Sequence, residues 1–229
     1  MKVLHLLFPH VCVSCREMLL PDEKILCTGC LGDIERFPSL AASSQAFTGL
    51  LENHYPAMEL PRHAASFCYY RNDGPVGRVV HAMKYRGVYR ACTWLGERIA
   101  EMFLQAGETW DVDAVVPVPL HPSRKAERTY NQSELIAAAI ARVLELPLRT
   151  DLLKRSLATR SQAGLSARAR RDNMERAFRP GRNVLPGSRL MLVDDVITTG
   201  ATVHAAMQTL LGAGVSEVFP VTVALAATS

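Results

Sequence analysis

One run constrains this chain more than any other: Leu190-Met-Leu-Val-Asp194-Asp195-Val196-Ile-Thr198-Thr199-Gly200-Ala201-Thr202. Its first four residues predict a buried strand over residues 190–193, which delivers two acids at its carboxyl end. A turn rich in Thr and Gly then enters a helix expected over residues 201–211. The free N–H groups at such a helix start, with the macrodipole, favour a phosphate. Gly200 lets the backbone approach the anion with no side chain in the way. The hydroxyls of Thr198, Thr199 and Thr202 supply further donors. Both acids would repel a phosphate if they pointed into the turn. They make sense as acceptors for hydroxyls of an attached sugar, or as groups holding Mg²⁺ through water. Helix capping accounts for one Asp or one Thr, but not for two adjacent acids and three threonines around a glycine. No G-x-x-x-x-G-K-[ST] run occurs, which excludes a Walker-type nucleotide site.

Alternation of strands and helices surrounds this run. Residues 66–70 read as a strand, and 76–85 and 92–105 as helices. Residues 113–117 form a short apolar strand running into Pro-Val-Pro. Asn131-Gln-Ser-Glu134 has the form of a capping box and opens a helix carrying Leu135, Ile136, Ala139, Ile140 and Val143. Residues 148–153 are a further candidate strand, and 218–225 a final one. The pattern predicts an α/β fold: a mainly parallel sheet flanked by helices, with ligands bound beyond the carboxyl ends of its strands.

The N-terminal part has a different character. Four of the six cysteines form two pairs, Cys12-Val-Ser-Cys15 and Cys27-Thr-Gly-Cys30. Each pair suits a tight knuckle, and two knuckles make an all-cysteine tetrahedral site for a structural Zn²⁺. Two disulfides are the alternative, which a cytoplasmic location disfavours. Cys68 and Cys92 stand alone and are expected in the core. Residues 37–64 turn to Ser, Ala, Pro and Gly with little periodicity, though Leu50, Leu51, Met58 and Leu60 suggest that parts of this stretch pack. The expected organisation is therefore a zinc-ribbon-like segment (1–36), a connector (37–64) and an α/β domain (65–229). No apolar run approaches the roughly 20 residues of a membrane-spanning helix. The opening MKVLHLLF is too short for a signal peptide, so the expected location is the cytoplasm. Net charge is +4, yet residues 149–182 hold ten Lys/Arg against three Asp/Glu. That surplus is either a solvated face or a patch for polyanions.

The 190–203 run resembles the signature of type I phosphoribosyltransferases. Further segments resemble the ComF (competence protein F, GntX-like) family: Val116-Pro-Val-Pro-Leu120 with Arg124, Lys125, Arg128 and Asn131-Gln132; Lys84-Tyr-Arg-Gly87; and Arg160-x-Gln162-x-Gly-Leu165-Ser166 continuing through Arg168, Arg171, Asn173, Ala177 and Phe178. With the cysteine knuckles, the likeness covers nearly the whole chain in order. Members often carry a further cysteine-rich ribbon. This chain has no third or fourth pair, so one Zn²⁺ is expected.

The resemblance implies a site for phosphoribosyl pyrophosphate (PRPP) with Mg²⁺. Asp194 and Asp195 would bind the ribose 2′ and 3′ hydroxyls and are the catalytic candidates. Val196, Thr198, Thr199, Gly200, Ala201 and Thr202 would cup the 5′-phosphate. The pyrophosphate loop maps to residues 118–124, with Pro119, Arg124 and Arg128. A closing basic loop maps to part of 155–173, with Arg160 and Arg168. His121 lies in the pyrophosphate loop region without a role fixed by sequence. The chain ends directly after its last strand, so no C-terminal hood is expected and an acceptor pocket would come from the region before Asp113. Three functions follow: phosphoribosyl transfer to an acceptor, handling of single-stranded DNA with competence-machinery proteins, or PRPP sensing without turnover. For the second, Lys84, Tyr85, Arg86, Arg170 and Arg171 are candidate nucleic-acid contacts, with Tyr69, Tyr70 or Tyr85 as stacking surfaces.

Overall fold

A computed structural model describes residues 10–107, 110–120, 129–155 and 177–226. In chain order the elements are α1 (Thr28–Gly32), α2 (Leu40–His54), β1 (Ala65–Tyr70), α3 (Pro75–Tyr85), α4 (Tyr89–Ala106), β2 (Ala114–Pro117), α5 (Gln132–Val143), β3 (Leu153–Arg155), β4 (Phe178–Pro180), β5 (Arg189–Ile197), α6 (Ala201–Leu211) and β6 (Glu217–Ala226). Strands β1, β6, β5 and β2 form a parallel sheet in that order. Beyond β2, Leu148 adds one parallel bridge to Val115.

Strand periodicity builds the two faces. Val115, Met191, Val193, Phe219 and Val221 point into one core, which α3, α4 and α5 complete. Ala114, Val116, Leu190, Leu192 and Val218 point into the other, completed by α2 and α6. A sheet buried on both faces needs near-continuous apolar strands, and β5 and β6 have them. Helices α4 and α5 approach closely at Gly96, where a Cβ would lie 2.5 Å from the Ile136 carbonyl oxygen. Cys68 and Cys92 are both fully buried, as expected.

Four details differ from the sequence expectation. The segment 37–64 contains the 15-residue helix α2, whose Phe47, Leu50 and Leu51 are fully buried. Its Ser43 hydroxyl donates to the Ser66 carbonyl (2.8 Å) and accepts from the Ser66 N–H (2.6 Å). A serine thus replaces an apolar contact against edge strand β1. The rest of that edge is closed by residues 35–36, where Tyr69 N–H donates to the Glu35 carbonyl and Arg36 bridges Cys68.

Second, β5 does not stop at Val193. It runs through both acids to Ile197, because β6 pairs with it as far as Ile197 opposite Leu225. Third, residues 148–153 are not one strand: Leu148 bridges the main sheet, while β3 turns away to pair antiparallel with β4. Fourth, Asn131 is the N-cap residue of α5, but its side chain makes no cap. Its amide instead donates to the Val118 carbonyl at 3.0 Å, tying the start of α5 to the end of β2.

The cysteine segment shares the larger core. Cys12, Ile25, Leu26, Cys30 and Ile34 are buried together with Val79, Val80 and Leu95. Arg78 of α3 also donates to the Ser14 hydroxyl at 3.2 Å. Among the described residues no helix is long and apolar enough to cross a membrane.

Candidate functional site

The topology fixes where a crevice must lie. From β5 the chain crosses through α6 to β6 on one side, and from β2 it crosses through α5 to the Leu148 bridge on the other. Neighbouring strands whose connections leave in opposite directions open a cleft at their carboxyl ends. The β2–β5 ladder closes with Val118 N–H on the Val193 carbonyl at 2.8 Å. The Val118 carbonyl, which would accept the next bond from β5, accepts instead from the Asn131 amide at 3.0 Å. Asp194 and Asp195 therefore sit on a strand held by β6 on one side and open on the other.

Each acid is already engaged. The Ser133 hydroxyl, at the start of α5, donates to Asp194 Oδ1 at 2.8 Å, and the Asp195 N–H donates to the same oxygen at 2.9 Å. Asp195 Oδ1 accepts from the Val196 N–H at 2.7 Å, and its Oδ2 lies 2.8 Å from Lys84 Nζ. Burial, reinforced by the neighbouring Asp195 carboxylate, pushes Asp194 up to about 6, against the bonds from Ser133 and Asp195 N–H and the Lys84 charge. Desolvation disfavours the charged form, so this carboxylate is held at some cost.

The turn after the acids has the shape a phosphate requires. Gly200 has φ +76° and is the N-cap residue of α6. A Cβ there would lie 2.7 Å from Leu51 Cδ2 and 3.4 Å from Leu50 Cδ2. Left-handed backbone and a packed floor both demand glycine. Thr198 and Thr199 are exposed, and Thr202, Val196 and Ala201 are half-buried; the first-turn N–H groups of a helix have no intrahelical acceptor.

The structure brings Asp194, Asp195, Thr198, Thr199, Gly200 and Thr202 onto one strand–turn–helix. Pro119 lies at the end of the neighbouring strand. Lys84, grouped by sequence with the nucleic-acid candidates, joins the acid pair instead, whereas Tyr85 and Arg86 stay exposed. Tyr69 and Tyr70 are partly buried, Tyr69 against Phe37 with ring centres 4.1 Å apart. His121, Arg124, Arg128, Arg160, Arg168, Arg170 and Arg171 lie outside the described residues. Sequence reasoning missed Ser133, hidden inside an apparent capping box. It also missed Tyr130, whose hydroxyl donates to the Met83 carbonyl and anchors the end of α3 beside the acids.

The second cluster is the four cysteines. A tetrahedral ion with Zn–S bonds of about 2.3 Å places its sulfurs about 3.8 Å apart. Cys15 and Cys27 sulfurs are 3.6 Å apart, and all four ligand atoms lie within 4.8 Å of one another. Burial opposes a charge on Cys12, yet N–H groups of Cys15, Cys27 and Ser14 outweigh it and bring the thiol to about 7. The donor set and spacing fit Zn²⁺, which would be closed off from substrate and hence structural.

The phosphoribosyl transferase domain family matches residues 131–228. Competence protein F of Haemophilus influenzae is 30% identical over 229 residues, covering 92% of this chain and 95% of that protein. This chain belongs to the ComF family. A second ComF-type relative, the DNA utilization protein YhgH of Escherichia coli K12, is 33% identical over 147 residues, 63% of this chain and 64% of its own. Competence protein ComFC of Bacillus subtilis is 36% identical over 101 residues, 44% of this chain and 39% of that one. Among solved structures, an adenine phosphoribosyltransferase from Trypanosoma brucei overlaps 66% of this chain at 13% identity and a TM-score of 0.40. The domain match takes in β5, the turn after it and α6.

Proposed function

We propose that this ComF protein binds Mg·PRPP between β5, the start of α6 and the end of β2. One observation carries the reading: two acids on β5 at the topological switch point, followed by a left-handed Gly200 that starts α6. Asp194 and Asp195 accept from the ribose hydroxyls, and the first turn of α6 with Thr198, Thr199 and Thr202 holds the 5′-phosphate. Mg²⁺, when bound, offsets the charge of the diphosphate. The acids are oxygen donors of the kind it takes, reached directly or through water. In transfer, the bond from ribose C1 to the diphosphate oxygen breaks, a bond from C1 to the acceptor forms, and pyrophosphate leaves. The four cysteines hold one structural Zn²⁺.

Calorimetry of the zinc-loaded protein with Mg·PRPP tests this. Saturable binding, lost in Asp194→Asn/Asp195→Asn, is expected; heats no different from buffer would end the reading. A pyrophosphate-release screen with acceptors then separates an enzyme from a sensor.

A second reading, single-stranded DNA binding, is favoured by the turn from α3 to α4. Tyr85 and Tyr89 are 67% and 56% exposed there, next to exposed Arg86 and Arg90. Aromatic faces interleaved with arginines suit a flexible polyanion with stackable bases.

A further inference from the structure

Lys84 reaches the acid pair from an element outside the strand–turn–helix that carries the acids. It is the penultimate residue of α3, and its side chain is 21% exposed against 14% for Asp195. Helix α3 is fixed at both ends. At its start, a Cβ on Gly77 would lie 2.2 Å from the Arg71 carbonyl oxygen, so the helix is seated tightly on the turn after β1. At its end, the Met83 carbonyl accepts from Tyr130. The ammonium is therefore presented by a braced scaffold, in a geometry that favours a strong charge-assisted bond. With Val196 N–H on Oδ1 and Lys84 on Oδ2, both oxygens of Asp195 are committed.

Charge counting gives this contact a role. Two adjacent ionised carboxylates form a site of charge −2, attractive to a bare divalent cation. Lys84 reduces it to −1 and holds Asp195 Oδ2, one of the oxygens such a cation would need. A Mg²⁺ ion already bound to a diphosphate arrives charge-compensated and meets no comparable repulsion. Resting on the phosphoribosyl reading, we propose that Lys84 is a positioning residue for that site. Its ammonium holds Asp195 in the orientation the ribose hydroxyls require and excludes free Mg²⁺, so the metal enters only with its diphosphate ligand.

The test titrates the zinc-loaded full chain with magnesium chloride alone and, separately, with metal-free ribose 5-phosphate, for wild type, Lys84→Met and Lys84→Arg. Wild type is expected to bind ribose 5-phosphate and to show no saturable Mg²⁺ binding. Lys84→Met should gain saturable Mg²⁺ binding and bind ribose 5-phosphate about tenfold weaker. A lysine that only braced the fold would shift the melting temperature and leave Mg²⁺ binding unchanged. Lys84→Arg keeps the charge but not the compact head, so it should still exclude Mg²⁺ while losing affinity for ribose 5-phosphate. Folded Lys84→Met that binds both ligands as wild type does overturns the proposal. If that variant does not fold, saturable Mg²⁺ binding by Lys84→Arg overturns it instead. A wild type that binds neither ribose 5-phosphate nor Mg·PRPP removes the phosphoribosyl reading and the role of Lys84 with it. Wild-type binding alongside an unaltered Lys84→Met removes Lys84 alone.

Discussion

The Ser133 hydroxyl donates to Asp194 Oδ1 at 2.8 Å, joining the start of α5 to an acid on β5 that burial holds at about 6. Because this value lies above the ordinary 3.8, the neutral acid is favoured by the fold. The site costs almost nothing below the unfolded pKa; the penalty grows between the two values and levels off above the folded one. Asp194→Asn keeps the Oδ1 acceptor and removes the charge. It should therefore stabilise the protein by about 1–2 kcal/mol at about pH 8, discounted for water access to the half-buried side chain, and by almost nothing at about pH 4. Urea melts across that range check it. A benefit that does not grow with pH contradicts the assignment of the strain to Asp194.

Gly200 and Leu51 should be coupled. Gly200→Ala forces a Cβ into a left-handed backbone, costing about 1–2 kcal/mol, and into Leu51 Cδ2, costing more. Leu51→Ala alone should cost about 2–5 kcal/mol by opening a cavity. In the double variant the cavity admits the new methyl, so the sum should overestimate the loss by about 1 kcal/mol or more. Additive losses in denaturant titrations would mean that the floor relaxes freely.

Removing zinc should unfold more than the first 36 residues. Ile25, Leu26 and Ile34 share a core with Val79, Val80 and Leu95, so loss of the ion withdraws packing from α3 and α4. A strong chelator, or Cys12→Ser/Cys30→Ser, is expected to lower the melting temperature of the whole protein in one transition. An early partial transition followed by an unchanged main one would show that the segment melts independently. Metal analysis should return one Zn²⁺ per chain.

The α3–α4 turn gives a separate handle on DNA. If single strands bind there, Tyr85→Ala should weaken binding of an oligothymidine by about 1–3 kcal/mol at every salt concentration. Arg86→Ala should instead reduce the slope of log K against log salt by about 0.7. Fluorescence anisotropy of a labelled oligomer distinguishes the two. Binding of equal strength in both variants moves the DNA site away from this turn.

Sequence made the parallel sheet legible because most of β6 and the first part of β5, Leu190–Val193, are apolar runs, and α4 and α5 carry clear helical stripes. It placed the acids, the threonines and Gly200 together because local chemistry alone requires them in succession. Helix α2 was not legible, since Ser43 satisfies backbone groups of Ser66 where periodicity would lead one to expect an apolar side chain. The extension of β5 through Asp194 and Asp195 depends on pairing with β6, a partner some thirty residues away that no local pattern announces. Ser133 and Lys84 were readable as residues but not as neighbours of the acids, because only the docking of α5 and α3 on the sheet brings them there.

The floor beneath Gly200 also changes what counts as the functional unit. Leu50 and Leu51 belong to a stretch that precedes every strand of the sheet, yet they shape the turn 150 residues later. A fragment trimmed to begin at Ala65 would retain every letter of the acid–threonine signature and lose the surface on which that signature is moulded. For this protein, the boundary of a recognisable motif and the boundary of a working mould do not coincide.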